Sequence, residues 1–75
     1  MHLIEAEHGV WLKVTGFEGG GKFLERLLQH GLYPGDRARI LRAAPLKGPL
    51  LVEVSGRELA LGRGVAAKIL VELEA

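Results

Sequence analysis

A succession of turn-forming residues in the middle of the chain constrains the fold more than any other feature. The apolar side chains of residues 22–30 recur at helical spacing, and Gly31 follows where a helix end favours a left-handed glycine. The sequence Tyr33-Pro34-Gly35-Asp36 then places proline second and glycine third, as in a type II turn. Residues 36–43 alternate as a strand, and the prolines and glycine of residues 44–49 predict a second corner. The segment therefore predicts a helix, a tight turn, a strand and a corner in immediate succession.

The predicted helix has one apolar face that is expected to pack on a core. Its members are spaced i, i+1, i+4 and i+5: Phe23, Leu24, Leu27 and Leu28. Beyond Gly31, we expect Leu32 to fold back onto Leu27, because a Schellman cap is usually accompanied by such an apolar contact.

Short strands are predicted on both sides of the helix. Leu50, Val52 and Val54 alternate with outward-facing residues, Ser55-Gly56-Arg57 is expected to form a hairpin turn, and Gly62 to end the next strand. The predicted strands are residues 10–14, 36–43, 50–54, the segment containing Leu59 and Leu61, and 69–73, with one helical turn at 65–68. Five short strands with one inserted helix predict a mainly β fold, a small barrel closed enough to protect its edges.

Length and composition favour one domain covering residues 1–75. A chain of 75 residues has little room for a deep cleft, and with no cysteine it can form neither a disulfide nor a thiolate metal site. The N-terminus lacks the basic start and apolar run of a signal peptide, and no apolar stretch approaches the roughly 20 residues of a membrane span. We therefore expect a soluble cytoplasmic protein.

Several motifs together resemble the FeoA family of small iron-transport accessory proteins. The family pattern Arg-Leu-x-x-x-Gly-Leu-x-Pro-Gly matches residues 26–35, and Ala-Pro-x-x-Gly-Pro matches residues 44–49. The pattern Gly-x-x-x-Ala-Leu corresponds approximately to residues 56–61, and an Ala-x-x-Ile-x-Val end to residues 66–71. The resemblance covers roughly residues 8–73, nearly the whole chain.

This resemblance implies a fold and a role. The fold would be a small SH3-like β-barrel, which agrees with the strand pattern. The role would be that of a non-enzymatic accessory of ferrous iron uptake that docks on FeoB, a membrane transporter with a cytoplasmic GTP-binding domain. Docking would modulate transport or GTP turnover and would hold the protein at the inner face of the membrane through its partner. No resident cofactor is implied, although weak binding of iron or another divalent metal stays open.

Two other functions remain as alternatives. SH3-like domains resembling FeoA also occur at the C-terminus of iron-dependent repressors, so the chain could be a regulatory module that works with such a repressor. A small nucleic-acid-binding barrel is the other alternative, with Arg37, Arg39, Arg42 and Lys47 as its basic face. Since the net charge is only +1 and few aromatic residues are available to stack on bases, a solvated strand face is the favoured interpretation of these cations, and no nucleic acid is expected as a partner.

Two apolar turns are the candidate partner-binding surface. On so small a protein, two such turns close in space would form an interaction patch, whereas separately they could seal the ends of the barrel. We expect them to lie on one side of the barrel, with Tyr33 and Leu46 partly exposed. The candidate residues are Leu32, Tyr33, Pro34, Pro45, Leu46 and Pro49, with Arg37 and Arg39 beside them.

The glycine-rich stretch from Gly16 to Lys22 matches the G-x-x-x-x-G-K pattern of a phosphate-binding loop. Phe23 stands where such loops need the Ser or Thr that holds Mg²⁺, and the chain is too short for the parallel sheet on which they sit. A flexible connection into the helix is the favoured interpretation, and no ATP or GTP hydrolysis is expected.

No other set of side chains predicts chemistry. Residues of metal-ligating type near the N-terminus match no recognised spacing, and neither Thr15 nor Ser55 has a neighbouring histidine in sequence. The metal site is therefore left unassigned, and an enzyme is not expected. The residues of metal-ligating type are His2, Glu5, Glu7, His8 and Glu18.

Overall fold

The computed structural model describes residues 1–74 as a five-stranded antiparallel sheet with two helices. The strands are β1 (Leu12–Phe17), β2 (Arg37–Ala43), β3 (Leu50–Val54), β4 (Arg57–Leu61) and β5 (Ile69–Leu73). The helices are α1 (Gly21–Gln29) and the single turn α2 (Arg63–Ala66), and a short 3-10 turn covers Leu3–Glu5. The mainly β prediction is confirmed, with α2 as a second helix.

The strands follow the order β4-β3-β2-β1-β5, and every neighbouring pair is antiparallel. The register shifts between Val14 and Gly16 in β1 and between Ile40 and Arg42 in β2. Such irregularities bend a strand and increase its twist, which lets five short strands curl around one core. The strand pattern predicted a small barrel, and the architecture is the SH3-like form that the FeoA resemblance implied.

The core is formed by alternate residues of the strands. In β2, Ala38 and Ile40 point inward, and in β3 the inward residues are Leu50, Val52 and Val54, as predicted. Within residues 1–74 every buried side chain is apolar. Burial of these side chains supplies the main driving force for folding, and the polar groups of the strands are paired along the sheet.

The predicted turns are confirmed in detail. Gly31 has φ +83°, its N–H bonds the carbonyl of Leu28, and the N–H of Leu32 bonds the carbonyl of Leu27 at 3.1 Å, which is a Schellman cap. Gly35 has φ +97°, and the N–H of Asp36 bonds the carbonyl of Tyr33, as in a type II turn.

Some boundaries differ from the sequence-based expectation. The first strand was placed at residues 10–14, but β1 runs from Leu12 to Phe17 because Gly16 and Phe17 pair with Leu70 and Ile69 of β5. Tertiary pairing here overrides the low strand preference of glycine. The second helical turn begins at Arg63, two residues before the predicted start.

Candidate functional site

The first of the two apolar turns, residues 32–35, is only partly a surface feature. Tyr33 is 50 % exposed and Pro34 is exposed, whereas Leu32 is buried. Leu32 is buried because it follows the left-handed Gly31 and the cap bond directs its side chain back toward α1, where Leu27 is also buried. Leu32 is therefore a core residue, and its assignment to a partner-binding surface was wrong.

The second turn, residues 44–49, lies at the surface. Leu46 is 99 % exposed, and Pro45, Lys47 and Pro49 are exposed beside it. The turn links β2 to β3, and the pair of residues next to it in these two strands is Ala43 with Leu50. A single exposed apolar side chain is common on protein surfaces, so a functional role for this turn has to be argued from its backbone conformation and its charges as well.

The two turns lie at opposite ends of β2 and do not form one surface. Residues 33–36 precede Arg37 and are hydrogen-bonded to β1, where the N–H of Gly35 bonds the carbonyl of Val14 at 2.7 Å. Residues 44–49 follow Ala43, which is six residue steps further along, or about 20 Å in an extended strand. The expectation that both turns share one side of the barrel is therefore wrong, because a strand of this length holds its two ends apart.

The backbone of the second turn has an uncommon conformation. Leu46 and Lys47 both have φ +59°, in the left-handed region that side chains other than those of glycine, asparagine and aspartate seldom adopt. The N–H of Gly48 bonds the carbonyl of Pro45 at 3.1 Å, and the N–H of Ala44 bonds the carbonyl of Pro49 at 2.9 Å. Positive φ at both central positions of a four-residue turn is the type I′ pattern, which normally carries Asn-Gly.

The outer face of β2 is occupied by contacts within the chain. The guanidinium carbons of Arg37 and Arg39 lie 4.2 and 4.5 Å from the centre of the Trp11 ring. Arg37 Nε donates to both carboxylate oxygens of Glu74 at 2.8 Å, and Arg39 Nη2 lies 2.8 Å from Glu53 Oε1. Both arginines, proposed from the sequence as partner-binding residues, thus have carboxylate and aromatic partners in the folded chain. A nucleic acid that used Arg37 and Arg39 would have to displace these partners.

Arg57 has a structural role that no sequence pattern indicated. Its Nη2 donates to the carbonyl of Gly31 at 2.9 Å and to that of His30 at 3.3 Å, so that it binds the C-terminal end of α1 from the start of β4. A cation at this position also complements the negative end of the helix dipole. No local pattern predicts this contact, because Arg57 lies 26 positions beyond Gly31 in the chain.

The glycine-rich stretch does connect a strand to a helix, as a phosphate-binding loop would. Gly16 belongs to β1, Gly20 is the N-cap of α1, and the helix begins at Gly21. The sheet beside it is antiparallel throughout, however, whereas phosphate-binding loops of this pattern belong to parallel sheets. The flexible-connection interpretation therefore agrees with the fold.

Three of the N-terminal residues of metal-ligating type meet in space. His2 Nδ1 lies 2.9 Å from Glu5 Oε1, and His2 Nε2 lies 2.5 Å from Glu18 Oε1. Both imidazole nitrogens therefore face carboxylates, and the three side chains tie the N-terminal 3-10 turn to the end of β1. Among residues 1–74, no group of three or more His, Asp or Glu side chains has the arrangement of a metal site.

The hydrogen bonds that join His2 to Glu5 and Glu18 lead to a testable prediction about pH. The hydrogen bond to Glu18 raises the pKa of His2 above its ordinary value of 6.5, and the bond from the His2 backbone N–H lowers the pKa of Glu5. A histidine whose pKa is higher in the folded state than in the unfolded state stabilises the fold at pH values below its unfolded-state pKa. This stabilisation is lost as the pH rises through its folded-state pKa. We expect the NMR titration midpoint of His2 to lie above 6.5, and to fall toward 6.5 in Glu18→Gln. A midpoint that is identical in the wild type and in Glu18→Gln would contradict the hydrogen bond between His2 and Glu18.

No pocket is found in the part of the chain that the structure describes, and no helix there is long and apolar enough to cross a membrane. The exposed large apolar side chains among residues 1–74 are Met1, Leu24, Tyr33, Leu46 and Leu73, and two of them, Tyr33 and Leu46, lie in exposed turns. Of these turns, residues 44–49 combine the highest exposure with the least favourable backbone conformation.

The FeoA domain model matches residues 1–73, which is nearly the whole chain. The chain belongs to the FeoA family. It is 31 % identical over 70 residues to a provisionally named Fe(2+) transport protein A of Methanocaldococcus jannaschii, and the match covers 93 % of this chain and 83 % of that protein. It is also 34 % identical over 73 residues to an Fe(2+) transport protein A/FeoB fusion protein of Porphyromonas gingivalis. That match covers 97 % of this chain but only 9 % of the fusion protein.

Solved structures agree with this assignment. The FeoA protein of Chlorobium tepidum superposes with a TM-score of 0.89 at 33 % identity, over 100 % of this chain and 71 % of that one. The manganese regulator SloR superposes with a TM-score of 0.84 at 23 % identity, over 97 % of this chain and 34 % of SloR. The likeness to SloR shows that the same fold occurs inside a larger regulator.

Proposed function

We propose that this FeoA-family chain is a non-enzymatic accessory of Fe(2+) transport that binds the cytoplasmic part of a FeoB-type transporter. The observation that carries the proposal is the P. gingivalis fusion protein, in which a segment matching 97 % of this chain is covalently joined to FeoB. Fusion holds two modules at high effective concentration, and that arrangement is useful when the modules bind one another.

The features of the surface support binding through protein contacts. The exposed turns are apolar, and one of them presents a fully exposed leucine. Binding would bring the barrel beside the GTP-binding domain of the transporter and so modulate transport or GTP turnover. It would also place the chain at the inner face of the membrane.

A binding measurement tests the proposal directly. The full chain and the isolated cytoplasmic part of the FeoB-type transporter from the same organism should associate in isothermal titration calorimetry with a micromolar dissociation constant, as is typical of a small, transient interface. GTP turnover by the transporter part, measured with and without the chain, reports modulation. Deletion of the chain should lower Fe(2+) uptake, and the same chain supplied in trans should restore it. Absence of association together with unchanged uptake would refute the proposal.

The fold also supports a second candidate. Because SloR contains the same fold at a TM-score of 0.84, a regulatory role beside a metal-dependent repressor is the alternative. Its distinguishing result would be association with such a repressor that depends on added Mn(2+) or Fe(2+), with no association with the transporter.

A further inference from the structure

The tip of the β2–β3 hairpin, residues 41–51, differs in charge from the rest of the sheet. It contains Arg42 and Lys47 and no aspartate or glutamate, and its other residues are apolar or glycine. Among residues 1–74, neither Arg42 nor Lys47 has a carboxylate within 4.0 Å, whereas Arg37 and Arg39 at the other end of β2 are both paired. The hairpin tip therefore presents one exposed leucine and two cations that have no carboxylate partner within residues 1–74.

The residues at the tip are poorly suited to their backbone conformation. The β3–β4 turn provides an internal comparison, because Ser55 and Gly56 also have positive φ values, +48° and +83°, and glycine takes one of the two positions. At the hairpin tip both positions carry long side chains, Leu46 and Lys47, at φ +59°. Residues kept in an unfavourable conformation at an exposed position are often kept for contact with a ligand or partner.

The surrounding residues hold this conformation in place. The turn is closed by the bonds from Gly48 N–H to Pro45 and from Ala44 N–H to Pro49. A Cβ on Gly48 would lie 2.8 Å from Ala44 Cβ, so glycine is needed there for close approach of the chain. Because the two prolines also restrict the backbone, the main chain of the turn is held in place, and little backbone entropy is lost when a partner binds Leu46.

We propose that the hairpin tip is the docking element of this chain, and that Leu46 enters an apolar pocket on a protein partner whose rim carries carboxylates. The rim would pair with Lys47 and Arg42, the two cations of the tip that lack carboxylate partners within residues 1–74. This inference rests on the proposed function, and it names the surface and the partner chemistry that the proposed function leaves open.

Other occupants fit the tip less well. A second copy docking tip to tip would place Lys47 and Arg42 against the same cations, which is unfavourable. A membrane would receive only one leucine side chain from the turn, and even a whole myristoyl chain gives only marginal, reversible binding. A protein pocket with an acidic rim satisfies both the leucine and the cations.

The test separates docking from folding. In the double variant Leu46→Asn/Lys47→Gly, the turn receives the residues that a type I′ turn favours. We expect its thermal midpoint to rise and its affinity for the cytoplasmic part of the FeoB-type transporter to fall at least tenfold. Leu46→Ser keeps Lys47 and should also lose at least tenfold in affinity. Lys47→Glu should weaken binding and reduce its salt dependence.

Two matched controls lie at the other end of β2. Ser55→Asn improves the β3–β4 turn in the same way, and should raise the midpoint without changing the affinity. Tyr33→Ala removes the exposed aromatic side chain of the other turn, and should leave the affinity within twofold of the wild type. Both controls would then show that stability and surface hydrophobicity by themselves do not determine binding.

Each remaining outcome is decisive. Wild-type affinity in Leu46→Ser and in the double variant would overturn the docking element while leaving binding to the transporter intact. Loss of affinity in Tyr33→Ala alone would place the contact at residues 33–36. It would likewise overturn the assignment of the hairpin tip as the docking element. Absence of binding by the wild type would overturn both proposals. Leu46-dependent binding to vesicles containing phosphatidylserine, without binding to the transporter, would assign the tip to a membrane and refute the protein pocket.

Discussion

Replacing Gly31 by valine is expected to lower the free energy of unfolding by about 2 kcal/mol. Gly31 has φ +83°, where a β-branched side chain is strongly disfavoured. A Cβ at this position would also clash with Arg57 Nη2. The guanidinium would have to move away and lose its bonds to the carbonyls of His30 and Gly31, so both conformational strain and a lost tertiary contact contribute.

Urea denaturation of a double-mutant cycle separates these two contributions. Arg57→Ala alone should cost about 1 kcal/mol through the lost bonds to the end of α1. Gly31→Val in the Arg57→Ala background should then cost less than in the wild type, because the guanidinium is no longer displaced. Gly31→Asn is a milder variant, since asparagine tolerates positive φ. If Gly31→Val left the denaturation midpoint unchanged, Gly31 would not be the residue that ends the helix.

Local turn chemistry explains why much of the fold could be predicted. Gly31, the pair Pro34-Gly35 and the pair Ser55-Gly56 each specify a backbone conformation that few other residues adopt, and all of them form the predicted turns. The alternation of β3 likewise predicted which side chains are buried. These signals are contained within a few neighbouring residues, so one sequence is sufficient to detect them.

Contacts between distant segments explain what could not be predicted. The extension of β1 to Phe17 depends on its pairing with β5, and the binding of Arg57 to the end of α1 depends on how β4 meets the helix. The burial of Leu32 shows the same limit. Its fold-back onto the helix was predicted correctly, but its proximity to Tyr33 and Pro34 in sequence suggested a surface patch that the cap geometry excludes.

At the candidate site too, the local features could be predicted from the sequence, whereas the contacts between distant segments could not. The sequence indicated that residues 44–49 form an apolar corner, and the full exposure of Leu46 agrees with an interaction surface there. The sequence did not indicate that Leu46 and Lys47 adopt left-handed conformations, because neither residue type favours them. It also could not indicate that Arg37 and Arg39 have carboxylate partners while Lys47 has none among residues 1–74, since those pairings join residues from separate strands and the C-terminal end.

Leu27→Ala is expected to lower the free energy of unfolding by about 3 kcal/mol, more than Gly31→Val or Arg57→Ala. Leu27 is the one fully buried side chain of α1, and its carbonyl also accepts the Schellman bond from Leu32. Truncation would leave a cavity between the helix and the sheet and would weaken the attachment of the helix. In a domain of this size, such a loss is a large part of the total stability.

Leu24 provides a matched control on the same helix. The sequence placed Leu24 and Leu27 on one buried face, but Leu24 is 40 % exposed whereas Leu27 is 2 % exposed. We therefore expect Leu24→Ala to change the free energy of unfolding by no more than about 0.5 kcal/mol, measured by urea denaturation. If Leu27→Ala does not fold, Leu27→Met supplies the comparison at a cost below about 1.5 kcal/mol, because it nearly conserves volume. Equal losses for Leu24→Ala and Leu27→Ala would mean that the helix packs through the broad face predicted from periodicity, and not mainly through Leu27.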